Sequence, residues 1–230
     1  MNIKAVITGD LVKSGKIKDA DFAPVINSLK DTFQEINMQL LHGEGAFEIF
    51  RGDSFQGLIP NPEMALLVSI IIRAHLRRYE PSKGLQGQDK INKPILNAYS
   101  DARIAIGVGE ISYKANNISE SQGDAFEKSG RVLDALKPDN ERLAILTPWE
   151  DINSELSIEC KLADAIISRW TATTAEAMFH YLLYNRNQLE LATILKITQP
   201  GVHKRLVMYG NMPGVQSFLN RYHELIMKAK

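Results

Sequence analysis

Cysteine is nearly absent: Cys160 is the single one in 230 residues. That excludes a disulfide within the chain and a zinc site built on several thiolates. Cys160 has no histidine close by in sequence and is expected to be a small buried hydrophobe. The histidines, His42, His75, His180, His203 and His223, show no zinc-ligand spacing, so surface or helix-cap roles are expected for them. Net charge is absent as well, because 27 Lys and Arg balance 27 Asp and Glu. Bulk electrostatics therefore do not favour nucleic acid, and any DNA contact has to come from a local basic patch. Long hydrophobic runs are missing too. The longest, residues 65–72 with Ser69 inside, is far too short to span a bilayer. The opening residues, MNIKAVITGDLVKSG, lack the apolar core and cleavage site of a signal peptide, so a cytoplasmic location without membrane contact is expected.

What is present is an ordinary globular composition, 44% hydrophobic and 23% charged, in a length that suits one large domain or two smaller ones. Residues 3–8 form an apolar, β-branched run ending at Gly9-Asp10, which reads as a buried strand. Phe22, Val25, Ile26, Leu29, Phe33, Ile36 and Leu40 recur at helical spacing. Residues 46–50 and 55–59 read as a hairpin around Arg51-Gly52-Asp53-Ser54, and Pro62 opens a second helix. Residues 80–100 are polar and read as a long, mobile loop. A strand over 103–108, a helix over 123–136 and a late strand over 143–146 complete the order β-α-β-β-α-β-α-β. The expected fold class is α+β: a ferredoxin-like βαββαβ domain over residues 1–150, its antiparallel sheet covered by helices on one face, followed by an all-α domain over residues 151–230. In the second part, a helix over 155–170 either packs back on the sheet or bridges the halves, and Thr173 or Thr174 caps the next, over 174–184.

Two aspartates carry the candidate chemistry of the first part. Asp10 ends the first strand and Asp53 sits in the hairpin turn, and each follows a glycine that lets the backbone approach a ligand. In a split βαβ sheet these elements are neighbours, so the carboxylates converge. Hard Mg²⁺ (or Mn²⁺) is commonly held by one or two carboxylates plus substrate phosphates. Lys13, Ser14 and nearby amides are placed to receive the phosphates of a nucleotide. The alternative is that both aspartates simply satisfy turns.

The segments VITGDLVKS (6–14), FRGDSFQ (50–56), RIAIGVGEI (103–111) and GDAFEKSGR (123–131) resemble, in order, motifs of the class III nucleotide cyclases. The hairpin also resembles that of diguanylate cyclases. A closer resemblance is to the SatD-like family of bacterial proteins, whose GDIVxSR, GDEFQGLL, RxGIGxGEI and GPAF segments appear here as GDLVKSG, GDSFQGLI, RIAIGVGEI and GDAF. The resemblance implies a nucleotide-cyclase-like fold, metal at Asp10 and Asp53, and a homodimer whose partners complete each other's site. It places Glu127 where cyclases carry a transition-state Asn, keeps the companion Arg as Arg131, and puts Ile49 where adenylyl cyclases carry an adenine-reading Lys. Glu127 sets a negative charge near the ribose, which argues against ordinary ATP cyclisation but not against binding a nucleotide with Mg²⁺. Arg131 either stabilises phosphate charge or pairs with Glu127 or Asp134.

Residues 187–210, NQLELATILKITQPGVHKRLVMYG, are laid out as a helix-turn-helix and resemble the IAxxLGISQPAVSKRL elements of bacterial transcription regulators. Leu189, Leu191, Ala192 and Leu195 form the expected apolar side of the first helix, and Lys196 stands in place of the usual turn glycine. Thr198 caps the second helix, with Pro200 in its first turn. Val202, Leu206 and Val207 face inward, leaving Gln199, His203, Lys204 and Arg205 to contact bases and phosphates of DNA. A final helix over 215–228 packs on this module or on a second protomer. The expectation is a DNA-binding transcriptional regulator whose degenerate cyclase-like domain binds a nucleotide with Mg²⁺. The alternatives are a metal-dependent enzyme acting on a nucleoside triphosphate, with Arg131 and Glu127 as its catalytic residues, and a scaffold without either activity.

Overall fold

The computed structural model describes residues 2–12, 14–16, 19–50, 52–78, 100–113, 115, 117–139 and 141–230. The loop expected over 80–100 lies outside these residues except for Ser100, as does Lys13. The described chain runs β1 (Ile3–Leu11), α1 (Asp19–Leu40), β2 (Ala46–Phe50), β3 (Ser54–Ile59), α2 (Ala65–Arg78), β4 (Ala102–Tyr113), β5 (Gln122–Gly123), α3 (Asp124–Asp139) and β6 (Leu143–Leu146). Helices follow: α4 (Glu150–Ile167), α5 (Ala172–Tyr184), α6 (Gln188–Leu195), α7 (Gln199–His203), a π-helical continuation over Lys204–Tyr209, and α8 (Met212–Ala229). Among the described residues no helix is long and apolar enough to cross a membrane.

The fold is mixed α+β around a six-stranded sheet of order β2-β3-β1-β4, with β6 on the far edge of β4 and β5 pairing the end of β4 at Ile111 and Tyr113. β3 lies between β1 and β2, and β1 between β3 and β4, all antiparallel, the pattern of a split βαβ sheet. β6 joins parallel to β4 after the α3 crossover. Gly52 has φ +83, the left-handed conformation that tightens the β2–β3 turn without steric cost.

The sheet is covered on both faces, not on one. Alternate residues of β1 explain this. Ile3, Ala5, Ile7 and Leu11 enter the main core with residues of α1 and α2. Val6 packs with Ala125 of α3, and Thr8 hydrogen-bonds Ser129 of α3 at 2.8 Å. Gly107 decides how close α3 comes, because a Cβ there would lie 2.2 Å from the Ala125 carbonyl oxygen. The glycines of the GVG segment thus serve helix–sheet packing.

α2 is buried nearly all round, which accounts for its apolar run. One side meets the sheet and α1; the other meets α5, which contributes Ala175, Met178, Phe179, Leu182 and Leu183 to the same core. That core continues through Leu191, Val202 and Leu206 to Val215, Phe218, Tyr222 and Ile226 of α8. Tyr222 Oη donates to the Pro62 carbonyl at 2.8 Å, and Trp170 Nε1 donates to the Gly210 carbonyl at 3.1 Å. Cys160 is buried, as expected. Three local expectations need correction. The cap of α5 is Thr171, whose side chain accepts from the Thr174 amide, so the helix begins earlier than its apolar pattern indicates. Leu189 is 69% exposed, because the inward stripe of α6 consists of Leu191, Ala192 and Leu195. His75 is neither a surface nor a cap residue: it is 3% exposed and bonded to Thr32 and Ser28 of α1.

Candidate functional site

The ends of β1 and of the β2–β3 turn meet at one end of the sheet. Asp10 is paired in register with Ser54 on one side and Arg103 on the other, and the Leu11 amide donates to the Asp53 carbonyl at 3.0 Å. Asp10 and Asp53 are therefore neighbours in the backbone, but their carboxylates have different partners. Arg103 grips both oxygens of Asp10, Nε at 2.8 Å and Nη2 at 3.0 Å. This fork geometry is the strong form of a charge-assisted pair, and it is only partly exposed, 24% for Arg103 and 13% for Asp10. Asp53 accepts from Ser14 Oγ at 2.6 Å, so Ser14 already uses its hydroxyl proton on the carboxylate. Among the described residues no group of three or more His, Cys, Asp or Glu is placed to hold a metal ion. Gly9 does not open the backbone to a ligand: the Phe55 ring occupies the space, 2.4 Å from where a Cβ would stand.

Glu127 and Arg131 lie on the exposed side of α3, while Ala125, Ser129 and Leu133 of the same helix face the sheet. Among the described residues no hydrogen bond or ion pair joins either of them to Asp10 or Asp53.

Behind the same end of the sheet lies an ion network that sequence reasoning missed. Asp101, 3% exposed, accepts from Arg73 Nε and Nη2 at 3.0 Å each, Arg77 Nη1 at 2.8 Å, Arg142 Nη1 at 2.6 Å and the Ala102 amide at 2.8 Å. Asp164 of α4 takes Arg73 Nη1 at 2.8 Å and the Arg142 amide at 2.9 Å. Arg77 also donates to the Ser168 and Trp170 carbonyls beyond α4, at 2.7 and 2.8 Å. Burial alone raises the Asp101 carboxyl, but Arg73, then Arg77 and Arg142, overrule it and hold Asp101 well below the usual carboxylate range. The Val12 amide donates to the Asp101 carbonyl at 2.7 Å, which ties this network directly to the end of β1. The available signal was Arg73 and Arg77 one helical turn apart in a helix whose preceding run, residues 65–72, is apolar but for Ser69.

The helical part builds a second candidate surface. Asn187 and Glu190 form a capping box at the start of α6. Lys196 ends the helix at φ 52, a left-handed conformation that normally favours glycine. Thr198 accepts from the Gly201 amide at the start of α7. Gln199, His203 and Lys204 are exposed. Gln199 donates to Gln188 Oε1 at 3.2 Å. Arg205 is turned back toward α5, 3.9 Å from Glu176, and is half-buried.

No family model matches the chain, and no curated protein matches it. Among solved structures it is similar to a bacterial light-regulated adenylyl cyclase, at 14% identity and a TM-score of 0.38, over 62% of this chain and 74% of that one. A likeness at that level decides neither mechanism nor substrate.

Proposed function

We propose that this protein is a DNA-binding transcriptional regulator whose sheet-bearing part binds a nucleotide. The observation that carries the reading is the α6–turn–α7 unit: two short capped helices on a shared core, the second offering Gln199, His203 and Lys204 to solvent from its first turns. A helix presented by its N-terminal residues suits the major groove, where Gln reads adenine and Lys reads guanine or phosphate. Arg205 reaches DNA by leaving the weak Glu176 pair. In a homodimer, two such helices read half-sites about one helical turn apart.

On this reading Asp10 and Asp53 share one Mg²⁺ or Mn²⁺ with the phosphates of a nucleotide, and Lys13 and Ser14 contact those phosphates. Two carboxylates carried on neighbouring backbone positions suit such a cation once it draws them from Arg103 and Ser14. The cation then competes with Arg103 for Asp10, which favours reversible sensing over turnover. The enzymatic alternative asks Arg131 and Glu127 to act at the same nucleotide. Their position on the outer side of α3 requires a second protomer to supply them, and no observation favours turnover.

The test is binding to duplexes selected from a random pool, followed by fluorescence anisotropy across salt concentrations. Lys204→Ala should weaken binding evenly across sequences and reduce the salt slope by about 1. Gln199→Ala should relax preference at one base position. DNA affinity that is absent, or unchanged in Lys204→Ala with Arg205→Ala, overturns the regulator reading. A thermal-shift screen of nucleotides, with and without Mg²⁺, tests the sensor reading separately.

A further inference from the structure

The outer side of α4 carries apolar side chains that the rest of the chain leaves uncovered. Leu156, Cys160, Ala163 and Ile167 of this helix are buried and join it to the core. Ile158 and Leu162, one turn apart on another side, are each 63% exposed. Among the described residues no other two exposed large hydrophobic side chains lie one turn apart on a helix. Single exposed hydrophobics are ordinary on a protein surface, whereas a stripe of them marks a contact. This stripe continues through the exposed Ala165 and ends in exposed charges, Asp151 in the first turn and Arg169 just past the last. With Glu155, these positions alternate in spacings of four and three, the repeat by which one helix packs along another. Asp151 and Arg169 stand about five turns apart and so share one line of the helix. Among the described residues neither takes part in an ion pair.

The stripe is complementary to its own reverse. Set two copies of α4 antiparallel about a two-fold axis level with residue 160, and Ile158 meets the partner's Leu162 while Asp151 meets the partner's Arg169. The same register sets Ala165 against the partner's Glu155. Arg221 of α8 holds the Glu155 carboxylate at 2.6 and 3.1 Å, so a small side chain meets a charge that is already balanced. We infer that α4 is a homodimer interface, its two copies packed antiparallel through Ile158 and Leu162 and fixed in register by Asp151 and Arg169. Such self-matching is what an isologous contact requires and an unrelated partner does not. A lipid surface suits the stripe poorly, because Asp151 and Glu155 lie within it. One helix pair is small beside the roughly 1,200 Å² that stable interfaces bury, so the dimer is weak, with a Kd of about 10 µM to 1 mM. Such a dimer supplies the second protomer that paired DNA half-sites assume, and it rests on neither the DNA contacts nor the nucleotide contacts.

Sedimentation velocity of the full chain at low salt, from about 5 µM to 1 mM, should show a monomer–dimer equilibrium. Ile158→Asp should weaken association about a hundredfold or more by burying a charge in the central layer, with a melting temperature near that of the parent chain because the site is exposed. Asp151→Arg and Arg169→Asp should each weaken self-association about tenfold, since each sets like charges opposite one another. Mixed in equal amounts, these two single variants should recover association, because each supplies the charge that the other lacks. A chain that is monomeric throughout, a dimer unchanged by Ile158→Asp, or charge variants that dimerise as the parent does or fail to recover on mixing overturns the inference. The charge variants sit at exposed positions and keep the test valid if Ile158→Asp fails to fold. A dimer that binds no DNA counts against the regulator reading alone.

Discussion

Asp101→Asn tests what holds the end of the sheet to the helical layer. The substitution keeps the shape of the side chain but removes its charge and one acceptor oxygen. Besides the remaining amide oxygen, Arg73, 0% exposed, then keeps Asp164, with its 13% exposure, and the Ser168 hydroxyl, while Arg77, 3% exposed, keeps only the Ser168 and Trp170 carbonyls and has no anion. Removing one partner of a buried ion pair costs about 3–5 kcal/mol, since the remaining charge can neither rehydrate nor find another partner. At this chain length each kcal/mol shifts the melting temperature by about 2–4 °C, so a fall of roughly 6–20 °C is expected. Arg142→Gln serves as the comparison. Arg142 is 20% exposed, and its loss leaves Asp101 with both buried guanidiniums, so about 1–2 kcal/mol is expected. Equilibrium urea unfolding measures both variants. The pH dependence adds a second reading. The folded Asp101 carboxyl titrates below its unfolded value of about 3.9. Its stabilisation is therefore fully present above pH 4 and is lost as pH falls toward the folded value, and Asp101→Asn should flatten that acid limb. A loss under about 1 kcal/mol with an unchanged acid limb would refute the reasoning, because it would mean that water or another anion already compensates the arginines.

Three further outcomes follow from single residues. Burial, then Arg78, lowers the His75 pKa to about 3, while an unfolded histidine protonates near 6.5. Stability should fall by up to about 1.4 kcal/mol per pH unit as pH drops from 6.5 toward 3, and His75→Gln should remove that slope in urea titrations at stepped pH. Gly107→Ala drives a methyl into the Ala125 carbonyl and Ser129 amide, so α3 must shift and the unfolding free energy should drop by about 1–3 kcal/mol. Lys196→Gly relieves a left-handed residue between α6 and α7 and should stabilise by roughly 1 kcal/mol; a neutral or destabilising result in the same assay would mean that the lysine side chain makes up for its backbone strain.

The elements with local signals were legible. The apolar, β-branched run of β1, the Gly52 turn and the Thr198-Pro200 helix start each encode a backbone conformation within a few residues. The element order follows from them. What escaped depended on partners distant in sequence. Arg73 meets Asp164 across 91 positions, and nothing near either residue announces the other. The second face of the sheet rested on Gly107 and Gly109, whose smallness reads equally well as ligand approach or helix packing until α3 is in place. Asp10 illustrates the same limit. Its position at the strand end is visible in the sequence, whereas the Arg103 fork that occupies it comes from a cross-strand register that the sequence does not announce.

The division of the chain near residue 150 can be argued from packing. α5 covers the side of α2 that faces away from the sheet, and Arg73 and Arg77 reach from α2 to Asp164, Ser168 and Trp170. A fragment ending at 150 would expose that side of α2 and leave both arginines without their α4-side partners. A helix that is apolar all round is stable only when it is enclosed. The two parts should therefore unfold together, with calorimetric and van't Hoff enthalpies equal within error. Fragment 1–150 should bind a hydrophobic dye and lack near-ultraviolet dichroism, the behaviour of a collapsed chain without fixed packing. Two separated transitions in the full chain, or a fragment that melts cooperatively, would show that the parts are independent in energy despite their continuous core. One transition would mean that any ligand stabilising the Asp10 end of the sheet also stabilises the helices carrying Gln199 and Lys204, by the same free energy and without a dedicated signalling path.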